Sequence, residues 1–119
     1  VGIQGSVAEL GVLLYPGVQM AAVHGLTDLF EVANRIAGEQ PLAQLPRLRV
    51  SHWQASEAQG PRRIYDSQEG ESGNLLAVVI PPSLAGFSAN QSSSALVSWL
   101  RQQHAAGATL GGVCVGSIL

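Results

Sequence analysis

The residue whose setting bears most directly on chemistry is Cys114, the single cysteine of the chain. It stands at the centre of Gly112-Val113-Cys114-Val115-Gly116, the spacing of a nucleophile elbow with cysteine in place of serine. That spacing serves chemistry because the central residue sits on a sharp strand-to-helix turn, and small flanking residues let the backbone make it. A helix that follows aims its N-terminal N–H groups at the sulfur and favours the thiolate. The competing reading is a small, inert cysteine buried in a strand, a common fate of free Cys. The three histidines, His24, His52 and His104, are scattered and form no metal-ligand spacing with Cys114, so no metal or cofactor is expected.

An elbow needs a strand to lead into it and a sheet to hold that strand. Thr109–Val113 is the expected strand. Glu9–Tyr15 is a short continuous apolar run closed by Pro16-Gly17, which suits a strand buried on both faces of a parallel sheet. From Gln19 the period changes, with Met20, Val23, Leu26, Leu29, Phe30, Ala33 and Ile36 recurring at threes and fours. This predicts an amphipathic helix ending near Gly38, with His24, Asp28, Glu31 and Arg35 on a solvated side. Leu48, Val50 and Trp53 mark a second strand after the Pro41–Pro46 connection, and His52 reads as a strand or rim residue. Arg63–Asp66 is a short edge strand, Ser67–Gly73 an exposed loop, and Leu75–Ile80 a buried strand stopped by Pro81-Pro82. A helix capped by Ser93 or Ser94 runs to about His104, with Leu96, Val97, Leu100 and Ala105 apolar, and Gly107 ends it. The alternation of strands and helices predicts an α/β, flavodoxin-like or Rossmann-like three-layer sandwich with a mostly parallel sheet. In such sheets ligands gather beyond the carboxyl ends of the strands, where Tyr15-Pro16, Pro81-Pro82 and Cys114 all fall.

At 119 residues the chain has room for one domain with a modest core. Residues 1–7 read as a disordered or added lead and 8–119 as the N-terminal part of one domain, cut after the elbow. Only 12% of residues are charged, sparse for a free surface, so much of that surface is expected to lie against a missing segment or a partner. All six basic residues are arginine and no run exceeds Arg62-Arg63, which makes this stretch by itself a poor nucleic-acid binder. One cysteine excludes an internal disulfide framework and points to a reducing, cytoplasmic setting. The apolar runs are far below the ~18–20 residues of a membrane span, so no membrane is expected.

With these pieces in place the chain resembles the PfpI-like (class I glutamine amidotransferase-like) superfamily, and most of all the N-terminal domain of AraC-type transcriptional regulators. The resemblance rests on Val12-Leu13-Leu14-Tyr15-Pro16-Gly17-Val18-Gln19 and on Gly25 with Asp28-Leu29-Phe30-Glu31-Val32-Ala33-Asn34. Val78-Val79-Ile80-Pro81, Trp99-Leu100-Arg101 and the elbow itself complete it. It implies a domain that senses a small-molecule effector or aids dimerisation, so a homodimer is expected. It also implies that DNA is bound only through a helix-turn-helix domain beyond this chain. The implied pocket comprises Tyr15, Pro16, Gly17, Ala22, Pro82, Ser83, Cys114 and Val115.

In the family's enzymes the elbow cysteine works with an acidic residue on the first helix and often a downstream histidine. Here that acidic position, five residues after Gly17, is Ala22, which cannot hold a charge or a proton. Asp28 and Glu31 lie one to three turns further on. The family's Gly-Gly after the middle strand is Pro82-Ser83, and proline has no N–H for an oxyanion. None of His24, His52 and His104 matches the downstream histidine. The expectation is therefore a catalytically silent ligand-sensing domain. The alternative is a PfpI-like cysteine hydrolase, hydratase or glyoxalase-type enzyme, with Cys114 as nucleophile and the Ser83 and Val115 N–H groups holding developing charge.

Overall fold

A computed structural model describes residues 7–40, 45–56, 59–68, 74–84 and 94–113. Its first strand, β1 (Val7–Leu14), lies at the middle of a five-stranded sheet. Val12 and Leu13 are completely buried there, as a strand covered on both faces requires. The chain leaves β1 through Tyr15-Pro16-Gly17-Val18, where Val18 N–H donates to the Tyr15 carbonyl at 3.0 Å. Gly17 takes φ +86°, the left-handed value that the third position of a type II turn demands and that glycine accepts without strain. Helix α1 (Met20–Gly38) follows at once, with Gln19 in extended geometry as its N-cap.

The remaining elements are β2 (Arg47–Gln54), β3 (Arg62–Asp66), β4 (Leu75–Ile80), α2 (Ser94–Ala105) and β5 (Thr109–Gly112). The strand order is β3-β2-β1-β4-β5. β2 and β4 flank β1 in parallel, β5 pairs in parallel with β4, and β3 alone runs antiparallel, on the outer edge of β2. The described residues thus form an α/β fold with a mostly parallel mixed sheet and two helices. β1 begins at Val7, the last residue of the expected lead.

The alternation of β1 side chains sorts the core into two clusters. Leu13 and Tyr15 join Leu75, Val78, Ile80, Leu96, Trp99, Leu100 and Ala108 on the face that carries α2. Val12 and Leu14 join Val23 and Val50 on the face that carries α1. On the α2 side the chain turns out of its helix at Gly107, φ +105°, with Ala108 N–H reaching back to the Gln103 carbonyl at 2.9 Å.

Both helices differ in detail from their apolar periodicity. In α2 the buried residues are Leu96, Trp99 and Leu100, while Ala105 is exposed and Val97 only half-buried. Trp99 is held by Trp53, ring centre to ring centre 5.2 Å, a cross-element contact invisible to periodicity. In α1 only Val23 is buried, and Leu29 and Ile36 are 59% and 55% exposed. The reason is lateral placement. α1 is tied to β2 by Thr27 against His52 and by Asn34, whose side-chain amide pairs with both backbone groups of Leu48 at 2.7 Å. Among the described residues nothing packs on the flank that carries Leu29 and Ile36.

The α2 face of β1–β3 also carries charges. Arg49, 4% exposed, grips Asp66 with two parallel bonds, one of them Nε to Oδ1 at 2.8 Å. Arg63 Nη2 donates to Oε2 of the equally buried Glu9 at 2.7 Å, with its guanidinium 4.9 Å from the centre of the Trp53 ring. The Arg49 bond holds the Asp66 carboxyl below its ordinary range, helped by the Gln68 N–H and the charge of Arg63. These pairs fasten the edge strand β3 to β1 and β2.

Candidate functional site

The loops after β1 and β4 are stitched together. Val18 and Ser83 form an antiparallel bridge. Gln19 N–H donates to the Pro82 carbonyl at 2.8 Å, and Leu84 N–H donates to the Gly17 carbonyl at 2.7 Å. The Ser83 hydroxyl donates to the same Gly17 oxygen at 3.2 Å. β5 ends alongside, where Val113 N–H donates to the Ile80 carbonyl at 3.0 Å. The carboxyl ends of β1, β4 and β5 therefore meet at one place. Since β2 lies on one side of β1 and β4 on the other, the sheet's connectivity reverses there, the position outside which open α/β sheets generally bind their ligands.

Of the residues the sequence assigns to a pocket, six lie within this assembly. Tyr15 is 3% exposed and its hydroxyl donates to the Pro81 carbonyl, so its polar end is spent on holding the two loops together. Burial raises the phenol above its ordinary range and keeps it a donor at neutral pH. Pro16 and Gly17 are exposed, and Ala22, Pro82 and Ser83 are half-buried. Ala22 sits in the first turn of α1, its N–H bonded to the Gln19 carbonyl at 3.0 Å, and that turn holds no acidic residue. Cys114 and Val115 lie outside the described residues, as does the loop after Leu84.

The chemistry available from the described part is limited by this wiring. Pro82 brings no N–H, and the next backbone donor beyond Ser83, that of Leu84, is committed to Gly17. Asp28 and Glu31 are exposed, further along α1. His24 and His104 are exposed too, and among the described residues no group of three potential metal ligands comes together. No helix among them is long and apolar enough to cross a membrane.

His52 is the polar residue whose setting the sequence understated. It is 8% exposed on β2, its Nε2 lies 2.8 Å from the Thr27 hydroxyl, and its ring stands 4.5 Å from that of Tyr65. Because Thr27 already donates to the Val23 carbonyl at 2.8 Å, it accepts from the imidazole, which fixes the proton on Nε2. Burial, then the nearby charge of His24, push His52 below its ordinary value. The group tethers α1 to β2. Its only sequence signal is the position of Thr27 and His52 on faces that meet once the crossover is made.

The cavities of the described part lie away from this juncture. One of about 380 Å³ lies between the end of α1 and the start of β2, lined in part by Arg35, Arg47, Asn34 and Leu45. Another of about 390 Å³ lies between α2 and β5, among Val97, Leu100, His104 and Leu110. Comparison with known proteins adds nothing to these observations, for no family model, no curated protein and no solved structure matches the chain.

Proposed function

We propose that this chain is the effector-sensing and dimerising part of an AraC-type transcriptional regulator, a PfpI-like domain without catalysis of its own. Its fold on this reading is the flavodoxin-like three-layer sandwich. In support, the parallel strands alone run second-first-third-fourth across the sheet, and the clusters around Val23 and around Leu96 lie on opposite faces. A small-molecule effector occupies the crevice outside β1 and β4, and the regulator meets DNA through a helix-turn-helix module outside this chain, in the cytoplasm.

One observation carries the silent reading. The helix turn that would tune a nucleophilic sulfur holds Ala22 and no acid, and it faces a loop where Pro82 offers no N–H and Leu84 has given its own to Gly17. A pocket kept for binding needs shape and a few polar groups, but hydrolysis through a cysteine needs a proton acceptor and oxyanion donors.

The test is the alkylation rate of Cys114 by iodoacetamide in the folded chain at neutral pH, read by mass spectrometry against a free thiol. A rate equal to or below the free thiol is expected. A much faster rate would mean a preformed thiolate and would replace this reading with the cysteine-enzyme alternative.

A further inference from the structure

The recess between the end of α1 and the start of β2 is larger than its cavity of about 380 Å³. A second cavity of about 220 Å³ adjoins it, and Asn34, Ala37, Leu45 and Pro46 line both. The two arms differ in chemistry. The larger adds Glu31, Arg35 and Arg47, whereas the smaller adds only the apolar Ala33 and Leu48. Asn34 offers a ligand little, because both ends of its amide are bonded to the Leu48 backbone. It is a fixed post between helix and strand.

The arginines mark the larger arm. Arg49 and Arg63 spend their guanidinium groups on Asp66 and Glu9. Arg35 and Arg47 are exposed, and among the described residues neither has an ion-pair or hydrogen-bond partner. Glu31, one turn before Arg35, is the only acid among the residues lining either arm, and it pairs with neither arginine. Two cations therefore face one anion, in a chain whose net charge is −2. The negative end of α1 opposes an anion only in part, since the Ile36 and Ala37 carbonyls accept from the Glu39 and Gln40 N–H groups at 3.1 Å.

We propose that this recess binds a small organic carboxylate with an apolar body. The carboxylate lies between Arg35 and Arg47, and the hydrocarbon runs along Ala33, Ala37, Leu45 and Leu48. A guanidinium matches the two oxygens of a carboxylate and is weakly hydrated, so it gives up water for such a partner readily. An anion between two like charges also relieves their repulsion. Sites for small molecules combine an apolar lining with a few placed polar groups, and the recess has both, at a size suited to roughly ten heavy atoms. The cavity between α2 and β5 offers only one guanidinium, Arg101, and is the weaker candidate for an anion. The recess lies at the amino end of β2, at the opposite end of the sheet from the loops after β1 and β4, and the proposal does not rest on the function proposed above.

Titration of the full 119-residue chain with octanoate, followed by amide chemical shifts, is the test. Saturable binding with a dissociation constant on the order of 1 mM is expected, with the shifts centred on Asn34, Arg35, Ala37, Arg47 and Leu48. Octanol, which keeps the tail without the charge, and acetate, which keeps the charge without the tail, should each bind at least about tenfold more weakly. Arg35→Gln and Arg47→Gln should each weaken octanoate by about tenfold, and Glu31→Gln should tighten it by about threefold. These side chains are exposed, so the variants should fold as the parent does, which circular dichroism checks. No saturable binding of octanoate would overturn the proposal. So would binding that falls with Arg101→Gln and ignores Arg35→Gln and Arg47→Gln, since the ligand would then sit between α2 and β5. Acetate or inorganic phosphate binding as tightly as octanoate would overturn the apolar half of the ligand's description.

Discussion

On the α2 side of the sheet a 12-residue helix buries Leu96, Trp99 and Leu100 against the strand residues Leu13, Leu75, Val78 and Ile80, and a set of ion pairs fastens the neighbouring edge. On the α1 side a 19-residue helix with the clearer apolar periodicity buries Val23 alone. Amphipathic pattern therefore tells which residues want cover, and lateral position decides which receive it. α2 is held by packing. α1 is held by polar tethers at one flank, Thr27–His52 and Asn34–Leu48, while its apolar flank stays open. A helix attached in this way leaves Leu29 and Ile36 in water, and that is the difference between the two faces.

The sharpest way to break the comparison is truncation on each face. Leu96 is 2% exposed in the larger cluster, so Leu96→Ala should cost about 2–5 kcal/mol, the transfer of the lost methyl groups plus the cavity left behind. Leu29→Ala should cost about 0.5 kcal/mol or less, since most of the side chain is already in water. Urea denaturation at low protein concentration measures both. Equal costs would mean that α1 is as well packed as α2 and that its open flank has been misjudged.

Next in size is the ion pair between β1 and β3. Arg63→Met leaves the Glu9 carboxylate buried without its partner and should cost about 3 kcal/mol. Glu9→Leu combined with Arg63→Met should recover much of that loss, because the pair is then replaced by apolar groups. A double variant no more stable than Arg63→Met would show that the charges themselves, and not their pairing, hold the edge strand.

Acid should distinguish the faces by the order in which they loosen. His52 titrates below its ordinary value of 6.5 in the folded chain. The unfolded chain therefore takes up the proton first. The stability due to neutral His52 is complete above about pH 6.5 and declines as pH falls below it toward the folded value. Asp66 is also lowered, from 3.8, by its bond to Arg49, so its contribution is present above that pH and disappears only as pH falls further. Melting curves should thus lose ground in two stages, first from the α1 tether and later from the β3 edge. His52→Phe should flatten the upper stage and leave the lower one. A decline near pH 6 that survives His52→Phe would assign it to another group.

How much of this was legible in the residues follows from what each signal depends on. The seven elements were readable because apolar period, Pro-Gly punctuation and strand length are local: Glu9–Tyr15 against β1, Gln19–Gly38 against α1, Leu75–Ile80 against β4. The convergence of Tyr15-Pro16 and Pro81-Pro82 was legible because strand ends in an α/β sheet gather by topology. Burial of Glu9 and Arg49 was not, since each depends on a partner more than fifteen residues away, Arg63 and Asp66, brought there by an antiparallel edge. The bareness of Leu29 and Ile36 was equally hidden, because periodicity records direction around a helix and not where the helix lies across the sheet.

A more local effect belongs to the joined loops after β1 and β4. Tyr15→Phe removes the hydroxyl that donates to the Pro81 carbonyl and leaves that buried oxygen without this donor. The cost should be about 1 kcal/mol, because the ring still packs in the α2-side cluster and the backbone bonds Gln19–Pro82 and Leu84–Gly17 still join the loops. Hydrogen exchange at the Gln19 and Leu84 amides gives the local answer that global stability would blur. Exchange faster at both amides, with β2 and β3 unchanged, would show that Tyr15 holds the two loops as a unit. Faster exchange across the whole sheet would mean that the tyrosine serves the core, and that the two loops owe their juncture to backbone pairing alone.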